Sequence, residues 1–528
     1  MSRMGSWKRS SARQDGLDGN DAEETPRPLS ASLKDNLDTI REVLGGSDDI
    51  VIRPIRLSGG VAAAVVFTEG LASEQLVAEF ILDRAMTDDA DQETERTGNG
   101  AKEIVSELER HILAVGELEF VHVFKSLFHA LLSGNTIVLL DGLDHAIAAG
   151  TKGWKDRGVT ETNTESVIRG SREAFSETLR TNTALIRRRI KSPRLRLETR
   201  RIGRETQTDV SIMFMQGIAN DKIVEEVRKR LDNIDIDGIL ESGYIEELIQ
   251  DETFTPFPTV YNTERPDVIA AELLEGKVAI LVDGTPFVLI VPAVFVSFLH
   301  AAEDYYHRAD ISTLIRLLRY VGIFIALYFP SLYVAITTFH QEMLPTQLLI
   351  SLAAQREGIP FPAFIEAFMM EVAFEILKEA GLRMPRTIGP AVSIVGTLVI
   401  GQAAVEAGIV SAAMVIVVST TAISSFVFPA YSMANAIRML RFPLMGLAAS
   451  FGLFGIILGS FAIVLHLTSL RTFGVPYLTP FAPMKLEDQK DAIFRLPHWM
   501  MTRRPSLMTG PNNKRQQPAK AAKPKPDK

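Results

Sequence analysis

Ala407–Ile437 reads AGIVSAAMVIVVSTTAISSFVFPAYSMANAI, 31 residues without a charged side chain, and Phe442–Leu470 adds 29 more in which only His466 titrates. About 20 apolar residues cross the hydrocarbon core of a bilayer, so each run is long enough to span it. Two further runs are uncharged, Tyr320–Phe339 over 20 residues and Thr387–Val405 over 19. Between them lie the short apolar stretch Gln347–Ala354 and the segment Phe361–Ala380, which carries Glu366, Glu371, Glu375, Lys378 and Glu379. That pair reads as amphipathic or re-entrant helices. The expectation is four to six membrane helices.

Outward from this block the chemistry changes. Residues 311–480 hold nine Lys/Arg and seven Asp/Glu, 16 charges in 170 residues, whereas the other 358 hold 120 − 16 = 104. A charged part made for water is joined to a block made for lipid. An ordinary soluble enzyme, a fully disordered chain and a disulfide scaffold are excluded. With no cysteine among 528 residues, Cys nucleophiles and zinc fingers are excluded too.

The predicted order is a disordered tail (1–32), α/β subdomain 1 (33–150), a linker (151–170) and α/β subdomain 2 (171–310). An all-α transmembrane domain (311–484) and a basic disordered tail (485–528) complete it. No apolar core of a signal peptide follows Arg3, Lys8, Arg9 and Arg13, so the N-terminal domain is expected in the cytoplasm. Helices are predicted at Leu33–Leu44, Ser73–Ala85, Glu103–Leu132, Ser171–Ile190 and Asp221–Leu231. Strands are predicted at Ile50–Ile55, Val61–Phe67, Thr136–Leu140, Leu195–Ile202 and Val210–Met215. Val278–Val282 and Phe287–Val291 flank a hairpin-like turn at Asp283–Pro286.

Basic residues set orientation. Arg308, Arg316 and Arg319 precede the first span, and the tail after Met501 is strongly basic. An even number of spans places both termini in the cytoplasm. Arg438 and Arg441 then face the wrong side if four runs cross consecutively; a break near Pro429 in the 31-residue run removes the conflict.

Arg187–Arg204 holds nine basic residues and one acid. Nucleic acid or anionic lipid would suit it, but it lacks interleaved aromatics and the whole chain carries −8. A solvated or subunit-facing surface is the preferred reading, and no nucleic-acid partner is expected. There is no GxxxxGK[ST] loop, no HExxH and no GxSxG elbow. The chain is expected to be no enzyme and to hold no cofactor or metal.

Several blocks carry a resemblance. Glu173-Ala174-Phe175, Leu179–Asn182 and Leu185–Lys191 are joined by Gly217–Asn220, Glu241–Glu247, Glu264–Asp267 and Leu274–Gly284. In the apolar part, Ser393–Gly396, Ile400–Val405 and Leu470–Tyr477 add to them. Over about 30–483 the sequence resembles the GerA family of spore germination proteins. The resemblance implies a germinant-receptor A subunit or a related SpoVAF-like amplifier, in the inner membrane of the spore or developing forespore. It further implies a transporter-like B subunit and a C lipoprotein as partners, and a homo-oligomer forming a ligand-gated channel for monovalent cations. A small-metabolite transporter component and a non-conducting signalling scaffold are the alternatives.

Within that frame the residues themselves suggest sites. Gln402 and Glu406 stand four apart on one helical face, and Glu371, Glu375 and Glu379 form a second stripe. Acidic rings suit cation pores, and a carboxylate at membrane depth is costly unless it faces protein or water. Glu371, Glu375, Gln402 and Glu406 are the pore or gating candidates, with an interfacial place among the headgroups as the alternative for both acidic sets. Gly452, Gly455 and Gly459, with Gly446, Ala448 and Ala449, allow close helix packing, between subunits or within one chain.

Overall fold

The computed structural model describes residues 27–56, 61–78, 118–153, 165, 167–383, 401–510 and 512–516. The tail 1–26, residues 79–85 and 103–117 of the predicted Ser73–Ala85 and Glu103–Leu132 helices, most of the predicted linker before 165, residues 387–400 of the Thr387–Val405 run and the C-terminal 517–528 lie outside the described residues.

Ser32 opens the first helix by accepting a hydrogen bond from Asp35, and Gly45, at φ 59°, closes it. This helix, α1 (Leu33–Leu44), is followed by β1 (Ile50–Arg56), β2 (Ala62–Thr68), the single turn α2 (Glu74–Val77), β3 (Leu118–Val121), α3 (Phe124–Leu132), β4 (Thr136–Leu140) and β5 (Ala146–Ala149). The strands pair in the order β1-β2-β4-β5-β3, every neighbour antiparallel. β3 occupies residues expected to continue a helix. Pairing of Phe120 and Val121 with Ile147 and Ala146 overrides the helical pattern there.

The second unit repeats the plan. α4 (Leu179–Arg189), β6 (Leu195–Ile202), β7 (Thr208–Met215), α5 (Asp221–Asp232), α6 (Ser242–Ile249), β8 (Tyr261–Thr263), α7 (Pro266–Leu274), β9 (Val278–Val282) and β10 (Val288–Val291) give the sheet β6-β7-β9-β10-β8, again antiparallel throughout. Both sheets thus run first, second, fourth, fifth, third. The likeness reaches single hydrogen bonds. Asn36 Oδ1 accepts from the Ser30 amide at 2.9 Å, and Asn182 Oδ1 from the Ser176 amide at 2.7 Å. Asp141 accepts from the Leu33 amide at 3.0 Å, and Asp283 from the Leu179 amide at 2.9 Å. Gly142 and Gly284 take φ 89° and 92° in the turns that follow, a region open to glycine. The Ser176–Asn182 clamp holds 171–178 out of the helix predicted there, which begins only at Leu179.

Arg187 ties the units together. Its Nε and Nη2 donate to Asp49 at 2.6 and 2.9 Å, and Nη2 reaches Ser47 Oγ at 2.9 Å, with both charges almost fully buried. Five further arginines of the basic run are also paired: Arg188 and Arg189 with Glu173, Arg200 with Asp232, Arg201 with Asp209 and Arg204 with Asp235. These guanidinium groups stitch the fold rather than form one open cationic surface.

After the turn α8 (Glu303–Tyr306), the helical part contains α9 (Ala309–Thr338), α10 (Thr346–Arg356), α11 (Ala363–Arg383), helical residues 401–406, α12 (Ala412–Ser425) and α13 (Tyr431–Ser469). Of these, α9 and α13 are long and apolar enough to cross a membrane. The break near Pro429 exists: 426–430 separate α12 from α13. A second break lies inside α13, where the uncharged run predicts one continuous span. Gly452 has φ 61° and ψ −141°, so α13 is two helices, 431–451 and 453–469. A side-chain carbon on Gly459 would lie 2.6 Å from Leu444, and one on Gly455 would press into the Leu447 carbonyl. Residues 444 and 459 would be about 22 Å apart in a straight helix. The two halves form an antiparallel hairpin.

The tail also differs from expectation. Residues 485–510 and 512–516 were read as disordered; instead they pack on the second unit. The Gly510 amide donates to the Ile218 carbonyl at 2.7 Å, and Arg515 meets Glu275 at 2.6 Å. Burial pushes the Glu275 carboxyl up to about 7, against the pull of Arg515. Residues 471–484 leave the bundle as well: Thr472 Oγ1 donates to the Thr259 carbonyl at 3.0 Å and Tyr477 to Pro258 at 2.8 Å. One apolar cluster runs from Phe175 and Leu281 through Phe298 to Met433, Leu467 and Tyr477, so the soluble core continues into the base of the bundle.

Candidate functional site: a polar file through the helical bundle

The helices can be ordered by depth from their side-chain contacts. At the base, Arg316 donates to Asp304 at 3.0 Å and to Asp491 at 2.8 Å, and Arg319 donates to Asp304 at 2.6 Å. Burial, then the nearby Arg316 cation, holds the adjoining His300 well below its usual range. At the far tip, Gly452 lies against His340 and Phe339, the C-terminal end of α9. Tyr333 reaches Ser411 at 3.5 Å, and Gly322 faces Ser424 and Val427, so α12 runs antiparallel to α9.

Between these levels the acidic residues of α11 meet polar partners in a row. The buried Glu366 accepts from both the amide and the hydroxyl of Ser411, the residue that caps α12. One turn on, Glu371 is fully buried and receives Arg441 at 2.7–2.8 Å. Glu375 receives Arg438 at 2.7 Å and lies 3.8 Å from Arg441. Lys378 Nζ then sits 5.0 Å from the centre of the Tyr431 ring. The spacing explains the match: 371 and 375 are one turn apart, as are 438 and 441, so antiparallel helices can align both pairs. Arg438 and Arg441, read from the sequence as topology markers, are ligands of an internal ladder.

The ladder is incompletely satisfied. Glu366 Oε2, Glu375 Oε1, Arg438 Nε, and Arg441 Nε and Nη2 are buried without hydrogen-bond partners. Groups of this kind are uncommon in native interiors unless water or an ion completes them.

The second candidate pair lies elsewhere. Gln402 Nε2 donates to Glu406 Oε1 at 2.9 Å, and both side chains are exposed. Among the described residues, no Lys or Arg pairs with Glu406. Gly452, Gly455 and Gly459 face the chain's own helices, where they close the α13 hairpin. The sequence singled out Glu371 and Glu375 but missed their arginine partners. The signal was present: basic residues spaced by three beyond an acidic stripe spaced by four.

The family described as Bacillus/Clostridium GerA spore germination protein matches residues 38–507. Spore germination protein KA of Bacillus subtilis (strain 168) is 48% identical over 495 residues, covering 93% of this chain and 90% of its own. A B. subtilis relative named uncharacterized membrane protein YfkQ is 45% identical, with coverages of 93% and 94%. Spore germination protein GerLA of Bacillus cereus is 40% identical, with coverages of 91% and 96%. Among solved structures, the N-terminal domain of the A subunit of the Bacillus megaterium spore germinant receptor GerK3 aligns at 43% identity. It covers 51% of this chain and 98% of that domain, with a TM-score of 0.40. With the family match and these near-full-length relatives together, the chain belongs to the GerA family of spore germination proteins.

Proposed function

We propose that this chain is the A-type subunit of a spore germinant receptor in the spore inner membrane, and that copies of it assemble into a cation-conducting path. A transporter-like B subunit and a C lipoprotein are its partners in this reading, and germination follows when the path opens. In this reading the helical part crosses the bilayer six times: α9 outward, α11 back, α12 back and the two halves of α13 outward and back, the chain having returned outward before α12 begins. Both termini and the soluble units lie on the cytoplasmic (spore-core) side.

One observation carries the proposal. Glu406 is exposed on a helix bounded by long uncharged runs, with Gln402 as its hydrogen-bond partner and no cation beside it among the described residues. A carboxylate so placed is unfavourable against lipid tails, and in this reading it faces water or a neighbouring subunit at the far end of the bundle. In a symmetric assembly it repeats as a ring, the arrangement that attracts cations.

Potassium flux through proteoliposomes tests this. Glu406→Gln should reduce flux or cation-over-anion selectivity several-fold while leaving expression and particle size unchanged. Wild-type flux in the variant would remove Glu406 from the path. Substrate-specific counterflow would favour a metabolite transporter, and no flux from the assembled receptor would favour a signalling scaffold.

A further inference from the structure

The two soluble units are built on one plan, so the third to fifth strands of one and the turns between them have counterparts in the other against which a residue's purpose can be judged. Over the third to fifth strands the offset is constant: Gly134 and Gly276, Asp141 and Asp283, and Gly142 and Gly284 each differ by 142. Strand registers agree. Paired residues of β3 and β5 sum to 267, as in Val121 with Ala146, and those of β8 and β10 sum to 551, as in Thr263 with Val288. The difference, 284, is twice 142.

Continuing the first register by one step sets His122 opposite His145 at the end of the sheet. Their rings are 5.4 Å apart, and Asp144 in the adjoining turn lies 3.1 Å from His145 Nδ1. Ligand atoms of His122, Asp144 and His145 all lie within 4.8 Å of one another. His122 and Asp144 are exposed, whereas His145 is half-buried beneath the edge of Phe120. The counterparts in the second unit are Glu264, Pro286 and Phe287. The same turn and strand pairing therefore form without any of the three, so the fold does not require them.

We propose that His122, Asp144 and His145 bind one divalent transition-metal ion of the Zn²⁺ class, with water in the remaining position. Two imidazoles and a carboxylate are a donor set for such ions rather than for Mg²⁺ or Ca²⁺, which take oxygen ligands. Tetrahedral Zn²⁺ sets ligand atoms about 3.3 Å apart, a closure that side-chain rotation of two exposed residues supplies. The ion would clip the edge strand β3 to the β4–β5 turn. That turn also holds Asp141, whose carboxylate caps α1, so occupancy stiffens one end of the first unit.

The test is Zn²⁺ titration of the full chain in detergent, prepared without a histidine tag and stripped with chelator. Wild type should bind one Zn²⁺ per chain, with an excess of Mg²⁺ failing to compete. His122→Ala with His145→Phe, the latter matching the second unit, should weaken binding at least tenfold while leaving circular dichroism and elution volume unchanged. Co²⁺ provides an independent readout: a visible absorption band should appear in wild type and be absent from the double variant. Equal Zn²⁺ affinity in wild type and the folded double variant would overturn the site, as would binding that Mg²⁺ displaces.

Discussion

Arg441→Met should be among the most damaging single substitutions in the helical part, because it leaves the fully buried Glu371 without its cation. Breaking a buried ion pair from one side costs about 3–5 kcal/mol, a large share of what holds a domain together. The expected result is loss of monodisperse protein in detergent and failure to assemble. Glu371→Met should do comparable damage by stranding the guanidinium. Arg441→Met combined with Glu371→Met should recover much of the yield, since two apolar residues can fill an ion-pair site without a desolvation penalty. A double variant as poor as either single one would show that the pair is needed for more than mutual neutralisation, such as holding water in the ladder.

Gly455→Leu should prevent the α13 hairpin from closing. A first side-chain carbon there already presses into the Leu447 carbonyl, backbone that cannot rotate away, and a leucine adds three further carbons. Gly459→Leu meets the side chains of Leu444 and Leu447, which can shift, so its effect should be smaller. The order separates packing within the chain from packing between copies. If the seam lies inside the chain, Gly455→Leu destabilises even the isolated subunit, read as a lower temperature of detergent-phase aggregation. If the damage appears only as a smaller oligomer, with subunit stability intact, the seam lies between copies.

Much of this architecture can be read from the residues. The ends of α1, seven of the ten strands of the two units and the Asp283–Gly284 turn follow local rules of capping, alternation and turn chemistry, whereas the short strands β5 and β8 carry no such pattern. The duplication was equally available, in Leu131-Leu132-x-Gly134 and Leu273-Leu274-x-Gly276 with Asp-Gly seven residues beyond each glycine. It escapes a reading that looks for similarity only within neighbouring segments. β3 was hidden because four residues on an edge strand carry little pattern of their own, and pairing with β5 decides their state. Phe442–Leu470 looked like one span because uncharged length says nothing of direction. Its 29 residues would make a helix of about 44 Å, well beyond the hydrocarbon thickness, and that excess was the visible hint of a turn at Gly452. For the candidate site, the acidic members were legible as costly charges. Their partners lie 63 and 70 residues away, and only the crossing of α11 with α13 brings them together.

The six-crossing arrangement is the claim on which the placement of Glu406 and the ladder depends, and single-cysteine labelling tests it most directly because the chain has no cysteine of its own. Cysteines at the exposed positions Glu342, Glu357, Arg383 and Ser506 would be treated with a membrane-impermeant maleimide in sealed vesicles of known orientation. The account predicts that positions 342 and 357 react from the face opposite the soluble units, whereas 383 and 506 react from the same face as those units. Reaction of position 383 from the face that labels 342 would mean that α11 enters and leaves the bilayer on one side, contradicting the six-crossing bundle.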